Sequence, residues 1–205
     1  KYSDKDIFGS EPALEAFITG CYSTYAYQGA FHSGAHGEWF APGSAIVHWG
    51  LAGTPLSDAQ KRWVDLLSLA QFSRNPNNLS VYKGLYTAIY TCNKLIDGLK
   101  SSPVNERYKR QIEAEARYLR AMSYFHIVRR WGNAPVHRDV TASIEHTNGK
   151  REDFWKIYDC IIKDLDYAEA NGRTYDEQFS IAGTGTGRVC KDAATALKSL
   201  VYLTI

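Results

Sequence analysis

Apolar residues recur at spacings of three and four through residues 104–135, VNERYKRQIEAEARYLRAMSYFHIVRRWGNAP. Ile112, Ala116, Leu119, Ser123 and Ile127 share one face of the helix this predicts. Tyr118, Met122 and Phe125 cover the flank, and Ala114, Ala121 and Val128 line the back. A helix apolar on most sides is an inner one. Glu113, Arg117 and Arg120 nevertheless occupy one strip of it. Glu113 precedes Arg117 by four residues, the favourable order for an ion pair. Gly132 is expected to end the helix and Pro135 to prevent its resumption.

Other segments carry the same period. Ser10 caps a first helix with Pro12 in its first turn and Leu14, Phe17, Ile18, Cys21 and Tyr25 on its stripe. Residues 29–78 lose the long period, with scattered glycines, Pro42 and Pro55, and a short helix at 57–70 opened by Ser57 and Gln60. Asn78 or Ser80 caps a second long helix to about Leu99. The connection through Pro103 leads into the central helix. A fourth helix runs over about 151–170, striped by Phe154, Ile157, Tyr158, Ile161, Leu165 and Ala168. Residues 174–187 read as turn and loop. A last helix begins near Cys190 or Lys191, where Ala193, Ala194 and Ala196 permit close approach. Short connections favour antiparallel neighbours. Segments 80–99 with 104–130, and 151–170 with 191–205, predict two stacked hairpins in a tetratricopeptide-like, all-α layout without a clean repeat. No run of 18 apolar residues occurs.

Composition adds one bias. The 205 residues carry net charge +2, too little and too dispersed for a phosphate-reading surface. Fourteen Tyr and five Trp are many for this length. Rings can fill core edges or form a flat ligand platform with a polar handle. The excursion at 29–78 interleaves such rings with glycine, and long loops often carry function. Trp39, Phe40, His48 and Trp49 could pack on the C–H face of a sugar, with Asn75, Asn77 or Asn78 fixing hydroxyls. Equally, Trp39 and Trp49 could anchor the loop on the helices.

Catalytic patterns are missing. His32, His36 and Glu38 lie close together but without an HExxH spacing. GTGTG at 183–187 lacks the ending of a phosphate loop. There is no GxSxG. Glu38 and Asp58 as a glycosidase pair are supported by nothing but residue type. Cys21, Cys92, Cys160 and Cys190 lack metal-ligand spacing and read as buried free thiols. Asn93 reads as a hydrogen-bonded residue between helices, or as a ligand contact. His126 reads as a core histidine.

The segment EAEARYLRAMSYFHIVRRWGNAPV (113–136) resembles the signature of the SusD/RagB family. The helix YKGLYTAIYTCNKLI places Tyr86, Ile89 and Asn93 where that family's W/YxxxYxxIxxxN element has them. Glu115, Ala116, Leu119, Arg120, Ala121, Tyr124, Phe125, Val128 and Gly132 match the signature, and Pro135 matches the family's short proline element after it. DFWKIYDCIIKDLDYA and GRVCKDAATALKSLVYL resemble the family's later helices.

The resemblance implies a surface-exposed, non-enzymatic lipoprotein of the Bacteroidetes outer membrane. It binds oligosaccharides or other nutrients without a cofactor or metal, and partners a SusC-like TonB-dependent transporter. Asn93, Glu115, Arg120, Tyr124, Gly132 and Pro135 are then fold determinants. Residues 1–205 are expected to form the amino-terminal helical domain of a larger fold. The resemblance implies that the lipid-bearing cysteine and the carboxy-terminal half, which carries much of the family's ligand site, are to be expected outside residues 1–205. A second reading is a helical-repeat module that docks a transporter and has no glycan site of its own.

Overall fold

The computed structural model describes residues 7–26, 76–140, 149–180 and 187–205, with 76–80 described through the backbone alone. Six helices are described: α1 (Glu11–Thr24), α2 (Pro76–Leu99), α3 (Glu106–Trp131), α4 (Phe154–Asn171), α5 (Tyr175–Ser180) and α6 (Lys191–Tyr202). Among the described residues there is no sheet, only an isolated antiparallel bridge between Ala134 and Glu152. The excursion and its expected short helix lie outside the described residues, apart from the start of α2.

The central stretch folds as its pattern dictates. Asn105 caps α3 by accepting the Arg107 amide at 2.8 Å. Ile112, Ala116, Leu119, Ser123 and Ile127 are all buried, and so are Ala114, Ala121 and Val128 on the back. The helix is enclosed because α2 packs on one flank and α4 on the other. α2 and α3 form one hairpin, and α4 and α6 pair as the second. The two stack through α3 and α4, giving the expected tetratricopeptide-like arrangement. Gly132 ends α3 at φ 64° and donates its N–H to the Val128 carbonyl.

The α1 cap forms as expected, Ser10 Oγ accepting the Ala13 amide at 3.4 Å, and Leu14, Ile18 and Cys21 enter the core. Behind them Phe8 packs over Gly98, where a Cβ would come within 2.4 Å of the ring. Ser102 donates its hydroxyl to the Phe8 carbonyl at 2.7 Å.

Several expectations are corrected. α2 starts at Pro76, so Asn78 sits inside the first turn and does not cap it. Proline is favoured there because its missing N–H is one the helix leaves unpaired anyway. α4 starts at Phe154, because Glu152 donates its N–H to Ala134 and Asp153 caps by accepting the Trp155 amide. Phe154, expected on the buried stripe, is exposed. Residues 174–187 contain a helix, α5. It opens on a reciprocal cap in which Thr174 Oγ1 accepts the Glu177 amide and the Glu177 carboxylate accepts the Thr174 amide. Of the three alanines on α6, only Ala194 is buried, against Ala114 and Ala168, while Ala196 faces solvent.

Candidate functional site

Three tyrosines, Tyr82, Tyr86 and Tyr90, stand at i, i+4 and i+8 on α2 and so form one ridge. The Tyr82 and Tyr86 rings lie 4.8 Å apart at 52°. Tyr82 meets Trp131 edge-on at 5.1 Å, and Tyr86 meets His137 edge-on at 5.7 Å. Opposite the ridge runs the extended segment that leaves α3 after Gly132. Between ridge and segment lies a cavity of about 260 Å³, walled also by Pro135, His137 and Asp139. A shallower groove continues along the same tyrosines past Lys83 and Thr87.

The extended segment is held by the residues read as fold determinants. Tyr86 donates its hydroxyl to the Pro135 carbonyl at 2.7 Å. Asn93 Nδ2 donates to the His137 carbonyl at 3.0 Å, and the Tyr124 hydroxyl donates to the same oxygen at 2.9 Å. The His137 amide returns a bond to that hydroxyl at 2.7 Å. The Asn93 amide is oriented by Arg120, whose Nη1 donates to Oδ1 at 2.7 Å. Because guanidinium only donates, Oδ1 must face it and Nδ2 must face His137. Arg120 in turn rests side-on against Asp164 of α4. A buried ion pair thus sets one wall of the cavity. Asn93 thus ties α2 to α3 and to the extended segment, and it also lines the cavity.

Protonation states follow from this packing. Burial, reinforced by Tyr82, pushes the Tyr86 hydroxyl far above its ordinary value, so it stays a neutral donor. Burial lowers His137, which is a neutral imidazole at physiological pH. For Arg120, burial opposes the charge, but the hydrogen bonds and charge of Asp164 outweigh it and the net shift is upward.

A second polar cluster joins α1, α3 and the segments flanking α5. The almost fully buried Glu115 accepts from Tyr22 at 2.8 Å, from Arg188 at 2.9 Å, from Arg173 at 3.1 Å and from Gln178 at 3.2 Å. Glu15 bonds Tyr108, Arg173 and Arg188. Two carboxylates and two guanidinium groups balance, and the bonds leave Glu115 no capacity for a ligand. Even so, burial raises the Glu115 pKa, only partly countered by Arg188 and Tyr22. On the outer strip of α3, Glu113 and Arg117 make the expected pair at 2.6 Å.

Among the described residues, no group of three or more His, Cys, Asp or Glu is placed to hold a metal. All four cysteines are free; Cys21, Cys92 and Cys160 are buried and Cys190 is half-buried. His126 is half-buried, and the Tyr25 hydroxyl meets its Nε2 at 2.9 Å. Burial, with Arg130 and Arg129 nearby, takes its pKa down to about 4. No described helix is long and apolar enough to cross a membrane.

Trp39, Phe40, His48, Trp49 and Asn75, the candidate platform, lie outside the described residues, as does the side chain of Asn78. Asn93, Glu115, Arg120, Tyr124, Gly132 and Pro135 are all described, and of these Asn93 and Pro135 line the cavity. Sequence reasoning missed the tyrosine cavity. Its available signal was the four-residue spacing of Tyr82, Tyr86 and Tyr90.

Comparison with known proteins places this scaffold. Residues 55–203 match the SusD-like family described as "Starch-binding associating with outer membrane". A SusD-like protein of Formosa agariphila is 29% identical over 124 residues, 60% of this chain and 22% of the relative. A SusD-like protein of Bacteroides ovatus is 29% identical over 130 residues, 62% of this chain and 22% of the relative. The chain therefore spans about a fifth of the length of these curated relatives. Among solved structures, a laminarin-binding SusD-like protein superposes with a TM-score of 0.74 at 25% identity, covering 96% of this chain and 40% of that one. A SusD homologue from Bacteroides thetaiotaomicron shares the fold, with a TM-score of 0.72 at 21% identity over 98% of this chain and 37% of that one. With the helical scaffold and its signature contacts in place, and most of its length matched, the chain belongs to the SusD-like family.

Proposed function

We propose that this chain is part of a non-enzymatic, surface-exposed glycan- or nutrient-binding subunit at the outer membrane, partnered by a SusC-like TonB-dependent transporter. The family match over residues 55–203 carries this reading. The similar structure named for laminarin binding supports a glycan as ligand. The buried charges of the helices are consumed by one another, so the helical core acts as a scaffold. Recognition is delegated to aromatic surface, with Trp39, Phe40, His48 and Trp49 as the stacking platform and Asn75 and Asn78 as hydroxyl partners. Residues 1–205 act as one amino-terminal helical domain. Attachment to the membrane is by a lipid at the amino terminus of the mature protein.

Affinity electrophoresis of the full-length protein through gels containing laminarin, starch or other neutral polysaccharides tests the reading. Retardation in at least one gel is expected. Uniform mobility in every gel would refute it.

Exposed aromatic pairs on the helices favour a second reading, docking to protein alone. Trp155 beside Phe154 and Tyr175 beside Phe179 present rings to solvent, as interface anchors do. A co-purified transporter with no glycan response would support it.

A further inference from the structure

The tyrosine cavity on α2 is a built pocket with hydrogen-bonding capacity left over. The Tyr86 hydroxyl and the Asn93 amide are committed to the wall they hold in place. Among the described residues, no hydrogen bond is made by the Tyr90 hydroxyl, the His137 ring or the Asp139 carboxylate, and all three border the cavity. Tyr90 is 48% exposed although its neighbours on the ridge are packed. Among the described residues lining the cavity, the one formal charge is the Asp139 carboxylate at the exposed rim; Lys83 borders the adjoining groove, and Arg151 lies near enough to act on Tyr86.

These features select a ligand chemistry. At about 260 Å³ the cavity has room for a single ring, and the groove along the same tyrosines leaves room for a chain to continue from it. A phosphate or an acidic sugar would meet the Asp139 carboxylate in the cavity lining, with Lys83 only on the adjoining groove. A purely apolar guest would make no use of the polar groups of Tyr90, His137 and Asp139 at the rim. A neutral pyranose has an apolar C–H face for the tyrosine ridge and hydroxyls for Tyr90, His137 and Asp139.

We infer that the cavity between Tyr82, Tyr86 and Tyr90 and the 135–139 segment is a binding site for a single neutral sugar residue, separate from the proposed platform at Trp39 and Trp49. The inference rests on the reading that the protein handles glycans. The ring stacks against Tyr90 at the mouth, and the His137 imidazole and the Asp139 carboxylate take its hydroxyls. The site would hold one unit of a chain, or a free monosaccharide.

Full-length protein labelled with ¹⁵N-tyrosine reports the site directly. D-glucose, D-galactose, D-mannose and N-acetyl-D-glucosamine are titrated singly, with D-glucuronic acid as the charged comparison. At least one neutral sugar should shift the Tyr82, Tyr86 and Tyr90 amides saturably, and glucuronate should not. Tyr90→Ala should weaken that binding roughly tenfold, and Tyr90→Phe should retain most of it. Tyr90 is half exposed, so neither change threatens the fold. Silence of these amides toward every neutral sugar, or equal binding by Tyr90→Ala, would overturn the inference. The same samples are run through polysaccharide gels. Retarded protein with silent tyrosines removes this pocket and leaves the glycan reading standing, whereas loss of both signals removes both.

Discussion

The Arg120 guanidinium meets the Asp164 carboxylate side-on, Nε to Oδ2 at 2.8 Å and Nη2 to Oδ1 at 2.7 Å, with both side chains only 7% exposed. This two-bond geometry couples the second hairpin to the first. The remaining reach of Arg120 goes to Asn93, and through Asn93 to the His137 carbonyl. The pair therefore fixes both the helix stack and one wall of the tyrosine cavity.

Removing one partner should expose how much rests on it. Asp164→Ala leaves a guanidinium buried without its anion, a loss of about 3–5 kcal/mol. Replacing both, as Arg120→Met with Asp164→Leu, should be milder, because no charge is stranded. Urea unfolding followed by circular dichroism measures both. Equal losses in the single and double variants would contradict this account.

Glu115 makes the same kind of prediction for the second cluster. Glu115→Ala strands Arg173 and Arg188 and should cost about 3–5 kcal/mol. The exposed pair Lys163 and Asp159, though closer at 2.6 Å, should give almost no change when Lys163 is replaced by alanine. Paired denaturation curves separate the two cases.

Gly132 ends α3 at φ 64° and ψ −121°, a conformation that residues with a Cβ rarely adopt. Open space surrounds it, so the cost of Gly132→Ala is backbone strain rather than a clash. A loss of about 1–3 kcal/mol is expected, with disturbance of the His137 and Asp139 amides in an NMR spectrum.

His126 gives the pH dependence. Its pKa is about 4 in the folded chain, against an ordinary value of 6.5. Between those values the unfolded state binds more protons, so this residue's contribution to stability falls as pH drops from 6.5 toward 4. The full effect is on the order of 3 kcal/mol. His126→Gln removes the slope. The stability difference between wild type and variant should therefore shrink on acidification, as unfolding at pH 7, 5.5 and 4.5 would show.

The helices were legible because each carries its own period and, at Ser10 and Gly132, its own cap or stop. α5 was overlooked although its capping residues, Thr174 and Glu177, are three apart, because six residues are too few for periodicity to register. α4 was drawn too early because the backbone of Glu152 is claimed by Ala134, a contact that local pattern does not reveal. The fate of Arg120 was legible only in part: the pattern placed it on a charged strip of an otherwise apolar helix, but its partner Asp164 lies 44 positions away. The cavity was invisible for the same reason. Its tyrosines sit on one helix, and its opposite wall arrives from beyond the next.

The central claim is that a charge-saturated helical scaffold presents aromatic surface to a glycan. Affinity electrophoresis of Trp39→Ala/Trp49→Ala beside wild type, in the polysaccharide that retards wild type most, tests it most directly. The account predicts that the double variant loses retardation while its melting temperature holds. Retardation equal to wild type, or a glycan panel that never slows wild type at all, would contradict it.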